Sequence, residues 1–156
     1  MNTTSAQQSG PGAVENQSPV ANAAAEILLV YDWECPACDF YCRQVSVRRS
    51  VGTLRLVNAR EPTAAMDEIT KARLDIDQGM VVKIGDQLYY GSDAIHTLAR
   101  FSGRSDLFNK LSYFMFRSRR LSHVLYPGLR ACRNFLLKAM GKTKINNLGI
   151  DGNDRF

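Results

Sequence analysis

The run Ile27-Leu28-Leu29-Val30-Tyr31 is continuously apolar and short, the pattern of a strand covered on both faces. Pro36–Ser50 reads as a helix with Cys38, Cys42, Val45 and Arg49 on one stripe, closed by Gly52. Thr53-Leu54-Arg55-Leu56-Val57 alternates as a second strand, and Pro62–Leu74 opens with a proline at a helix start and keeps Met66, Ile69 and Arg73 in register. Met80–Ile84 and Gln87–Tyr90, joined by Gly85-Asp86, predict a hairpin. Gly91, Ser92 and Asp93 then cap a helix through Ala94, Ile95, Leu98 and Phe101, which Gly103 closes. One parallel crossover followed by an antiparallel pair gives a four-stranded mixed sheet with helices on both faces, an α/β domain over residues 25–103.

Beyond it the period stays helical. Asp106–Tyr126 and Leu129–Met140 read as two helices separated by Pro127-Gly128. Leu107, Leu111, Phe114, Leu121 and Leu125 lie on one stripe of the first, and Leu129, Cys132, Leu136 and Met140 on one stripe of the second. Both stripes are expected to pack on the small core, making residues 104–145 a helical extension on or beside it. Residues 1–24, rich in Ser, Gln, Asn and Ala without apolar period, read as a disordered tail, and 146–156 as a flexible one.

Charge divides the chain at the same place. Residues 1–103 carry 9 Lys+Arg against 12 Asp+Glu, and residues 104–156 carry 11 against 3, so the formal net charge of +5 belongs to the extension. That leaves peripheral contact with an anionic membrane open for these helices, while no nucleic-acid partner is expected. No apolar run exceeds five residues and no export signal is evident, so a cytoplasmic location is the default.

The chemistry sits where the first strand ends, in Asp32-Trp33-Glu34-Cys35-Pro36-Ala37-Cys38. Pro36 suits the first helical position, which makes Cys35 the N-cap. A thiol there faces unpaired N–H groups and the positive helix end, which favour thiolate, while Asp32, Glu34 and Asp39 oppose it; the balance is a moderately acidic thiol. Cys38 lies one turn on, within reach of a mixed disulfide at Cys35. Asp32 suits either of two roles, proton relay to the resolving thiol or acceptor for the turn's N–H groups.

These residues resemble the DCC family of predicted thiol–disulfide oxidoreductases, thioredoxin-like proteins named for an Asp and two Cys, here Asp32, Cys35 and Cys38. The similarity continues through Gly79-Met80, Tyr90-Gly91-Ser92-Asp93-Ala94 and Tyr126-Pro127-Gly128-Leu129-Arg130. It implies a thioredoxin-like fold, thiol–disulfide exchange with no bound cofactor, and a disulfide-containing protein or small molecule as substrate with a thiol reductant as partner. Two positions depart from the pattern. Trp33 stands where the family usually has Gly, and Met80 falls where thioredoxins carry a cis-proline, so the Gly79–Met80 bond is expected to be trans. Trp33, Pro36, Gly79 and Met80 are the expected substrate contacts.

Other readings stay open. Cys35, Cys38, Cys42 and Cys132 could form a four-thiolate zinc or iron–sulfur site, although ligands along one helix diverge. The chain could also be a non-catalytic interaction module. Cys42 and Cys132 are otherwise expected as buried structural thiols, and His96 and His123 as structural residues.

Overall fold

A computed structural model describes residues 26–45, 47, 52–102 and 107–156. Its central strand is β1 (Glu26–Tyr31), parallel to β2 (Thr53–Asn58) and antiparallel to β3 (Val81–Ile84), which pairs with β4 (Gln87–Tyr90). The order β2-β1-β3-β4 is the mixed sheet that the pattern predicts. Because strand side chains alternate, β1 divides its apolar run between two cores. Ile27, Leu29 and Tyr31 meet Cys42 and Val45 of α1 (Pro36–Gln44) and Ala94 and Leu98 of α3 (Ser92–Phe101). Val30 faces the other way, onto Met66 and Ile69 of α2 (Ala64–Lys71).

Helix boundaries depart from expectation at several points. α1 stops at Gln44, and Val45 is extended with its side chain buried; a β-branched residue gives up little in that conformation. Arg49, Ser50 and Gly103 lie outside the described residues, as do residues 1–24. α2 begins after Thr63, whose hydroxyl accepts from Met66 N–H at 3.3 Å; Pro62 precedes the cap, and Arg73, at φ 58°, is past the helix end and exposed. The N-cap of α3 is Gly91 at φ 58°, a conformation that favours glycine, and Ser92 Oγ is turned to His123 Nδ1 at 2.9 Å.

The extension is divided elsewhere than the proline suggests. α4 (Leu107–Phe116) ends at Arg117-Ser118, and α5 (Arg119–Ala139) runs through Pro127 without a break. The Phe116 carbonyl at the junction accepts from His96 Nδ1 at 2.8 Å and from Ser122 Oγ at 3.1 Å, so side chains take over what a continuing helix would supply. α4 and α5 pack on α3, with Phe116 against Ile95 and Ala99, flanked by Leu125 and Tyr126. The stripes expected to be covered are largely not: Leu111, Phe114, Leu121, Leu129, Cys132 and Met140 are exposed, and Ser112, Ser122, Arg133 and Leu137 face inward instead. The extension is a third layer, with α3 between it and the sheet.

Residues 146–156, expected as a flexible tail, belong to a segment hydrogen-bonded to the body. Buried Asp77 accepts from Ile145 N–H at 2.9 Å and Asn146 N–H at 2.6 Å, while Asn147 Oδ1 accepts from Ile76 N–H at 3.1 Å and its amide donates to the Leu74 carbonyl at 2.9 Å. Thr143 and Arg155 form an isolated antiparallel bridge.

Candidate functional site

Cys35 is the N-cap of α1 and Pro36 its first residue, so the chain leaves β1 and delivers two sulfurs within one turn. Cys38 N–H donates to Cys35 Sγ at 3.2 Å. Hydrogen bonding from Cys38 is the main reason the Cys35 thiol is drawn down to about 7. The nearby Arg133 guanidinium helps, while burial and Asp32 oppose. Cys38 moves the opposite way, held as a thiol by its bond to Cys35 and by burial. Burial also keeps Cys42 protonated. The pair is therefore polarised, with the negative charge placed on Cys35.

The acids that oppose a thiolate are neutralised by basic partners, those of Asp32 and Glu34 distant in sequence. Buried Asp32 accepts from Arg60 Nε at 2.8 Å and Nη2 at 3.1 Å, with Arg133 Nη2 at 3.5 Å. Its Oδ1 also accepts from Glu34 N–H at 3.0 Å, the turn-acceptor role. Glu34 pairs with Arg60 at 3.2 Å and Lys142 at 3.4 Å, and Asp39 with Arg43 at 2.8 Å. Arg133, from α5, is itself buried, donates to the Asp77 carbonyl and carries the Phe156 ring 5.4 Å from its guanidinium carbon. Arg60 and Arg133 carry no local motif; the only sequence signal is a lone Arg on the buried side of a helix.

A cavity of about 310 Å³ adjoins the pair, and Cys38, Asp32, Gly79, Met80, Tyr126 and Cys132 are among its lining residues. The two sulfurs differ in access: Cys35 is fully buried and Cys38 only partly so. Gly79 and Met80 reach this cavity across a trans peptide. Pro36 and Trp33 are exposed and are not among its lining residues; the Trp33 ring lies 6.3 Å from that of Tyr31 and 5.7 Å from the Arg43 guanidinium carbon.

Tyr126 joins the separate sequence blocks. Its hydroxyl donates to the Gln78 carbonyl at 3.1 Å, and a Cβ at Gly79 would overlap its oxygen. At Gly91 a Cβ would lie 3.2 Å from the same ring. Both glycines give α5 its approach to the cavity. Cys132, expected to be buried, is exposed because it sits on the outward side of α5. The four cysteines thus do not gather as a four-thiolate set, and among the described residues no three His, Cys, Asp or Glu side chains do. Also among them, no helix is long and apolar enough to cross a membrane.

A CxxC dithiol at the first helix of a thioredoxin-like sheet defines a thiol–disulfide exchange class of protein. The family model for DCC1-like thiol-disulfide oxidoreductase matches residues 29–139, and the chain belongs to that family. Searches of curated proteins and of solved structures gave no match.

Proposed function

We propose that the protein is a thiol–disulfide oxidoreductase that reduces disulfides with the Cys35–Cys38 dithiol. The observation carrying this reading is the polarised pair, with Cys35 Sγ at the helix N-terminus accepting from Cys38 N–H. The Cys35 thiolate attacks one sulfur of a substrate disulfide, whose S–S bond breaks to release one thiolate. Cys38 gives up its proton as that thiolate is protonated, then attacks Cys35 Sγ and expels the second substrate thiolate. The substrate gains two electrons and the protein keeps a Cys35–Cys38 disulfide. A thiol reductant restores the dithiol, which suits a reducing compartment such as the cytoplasm. Asp32 acts as a positioning residue that holds Arg60 and Arg133 against the turn, and its place on the cavity wall lets it exchange a proton with Cys38.

A second reading rests on access. Cys38 is the sulfur that lines the cavity, so in the oxidised protein an incoming thiolate attacks Cys38, forms a mixed disulfide there and breaks the Cys35–Cys38 bond, with Cys35 departing as the favoured thiolate. Trapping with a small aromatic disulfide separates the two. Cys38→Ser should accumulate a stable mixed disulfide at Cys35, whereas accumulation only in Cys35→Ser makes Cys38 the entry sulfur. A wild-type protein that forms no Cys35–Cys38 disulfide in a glutathione redox titration would rule out both.

A further inference from the structure

The outer layer is apolar on two sides. The inward side of α5 carries Ser122, Arg133 and Leu137, all buried. On the other side Leu121, Val124, Gly128, Ala131, Cys132 and Phe135 recur at three- and four-residue spacing, and Val124 is 75% and Phe135 70% exposed. On α4, Leu111 and Phe114 extend the apolar surface, with Phe114 76% exposed. Single exposed apolar residues are ordinary, but a stripe several turns long marks a surface that something covers.

Charge identifies the occupant. From Leu107 to Ile150 the chain holds nine Lys+Arg and no Asp or Glu. Lys110, Arg117, Arg120 and Lys138 are exposed on the same two helices. A second copy would set these cations against their own equivalents. An anionic bilayer satisfies both features, accepting the apolar side chains below its headgroups while the headgroups meet the cations. Exposed Arg120, Arg130 and Lys138 on α5 suit a helix lying in the interface plane rather than one crossing it. The stripe is also continuous with the cavity beside Cys38, since Cys132 belongs to both and exposed Met115 and Leu129 line the cavity next to it. We infer that the exposed α4–α5 face seats the protein on an anionic membrane surface, with the mouth of the dithiol cavity at the lipid boundary.

Co-sedimentation of the full, reduced chain with vesicles tests this independently of any redox activity. Binding is expected to phosphatidylcholine vesicles containing phosphatidylglycerol, weaker binding to phosphatidylcholine alone, and loss with added salt. The variant Val124→Ser/Phe135→Ser should lower partitioning by about tenfold or more while keeping the wild-type melting temperature, because both side chains are already in water. Should that variant melt earlier, Phe114→Ser on the other helix must show a loss of partitioning. Failure of the wild type to bind, equal binding to both vesicle types, or wild-type partitioning by the folded variants would each overturn the proposal. So would a wild-type dimer that Val124→Ser/Phe135→Ser dissolves, which would make the face a contact between copies.

Discussion

Cys35 and Cys38 are three residues apart, yet the hydrogen bond between them drives their proton affinities in opposite directions, while burial raises both. Alkylation of Cys35 by iodoacetamide should accordingly titrate with a midpoint near pH 7, slowly because the sulfur is buried, while Cys42 stays unreactive across that range. The same shift links to stability. The folded Cys35 lies at about 7, below its ordinary 9, so the contribution is present above pH 9 and is lost as pH falls through 7. Urea denaturation of the reduced protein should show wild type gaining on Cys35→Ser as pH rises from 7 towards 9. Arg133→Met should move the alkylation midpoint upward, since that cation favours the thiolate. The dithiol, its cap and Pro36 were legible because they fall within one short segment. Arg60 and Arg133 were not, since nothing local ties Asp32 to a partner 28 residues away or to a helix of the extension.

The strands were legible almost to the residue, because the apolar run of β1 and the alternation of β2 follow from which faces are covered. Helix ends were less so. Pro127 removes one backbone donor, but α5 continues because its buried residues on both sides of the proline are held by α3 and the cavity wall. The break falls at Arg117-Ser118, where the His96 side chain claims a carbonyl that local sequence does not reveal as taken. Tyr126 against Gly79 allows a direct check of how α5 is seated. Gly79→Ala should cost about 1–3 kcal/mol through overpacking, and Tyr126→Phe about 0.5–1.5 kcal/mol through the lost hydrogen bond. In the double variant the overlap with the hydroxyl oxygen is gone, so the two costs should sum to more than the measured loss. Chemical denaturation of all four proteins gives the cycle.

Taken whole, the molecule is a mixed sheet with α1 and α3 on one side and α2 on the other, overlaid by a basic outer layer and fastened by its last residues. Fastening depends on Asp77 and Arg60 as much as on apolar contact: Arg60 Nη2 donates to the Thr143 carbonyl at 2.8 Å, and Asp77 accepts from the Ile145 and Asn146 amides. Removing residues 142–156 leaves a buried carboxylate without those donors, and a loss of about 3 kcal/mol or more is expected in urea unfolding. A truncated protein as stable as the full chain would show that Asp77 finds water instead. This arrangement was illegible in a segment of Asn, Gly and Lys, because the donors that satisfy the buried acid are backbone amides, which any residue supplies.

The burial of Cys35 also bears on oxidative damage. A thiolate of this acidity is the form peroxide attacks, giving sulfenic acid, and a second attack would take it irreversibly to sulfinic acid. Here Cys38 is one turn away with its thiol hydrogen-bonded to Cys35, so that thiol should condense with the sulfenic acid and expel water before more peroxide enters. Hydrogen peroxide should therefore convert the wild type to the Cys35–Cys38 disulfide, fully recoverable with dithiothreitol. Cys38→Ser, with the buried Cys35 sulfur but no neighbouring thiol to trap it, should accumulate sulfinic acid at Cys35 by peptide mass mapping. Recoverable wild-type activity after peroxide, set against irreversible loss of Cys35 in that variant, would identify the second cysteine as the chain's own protection against overoxidation.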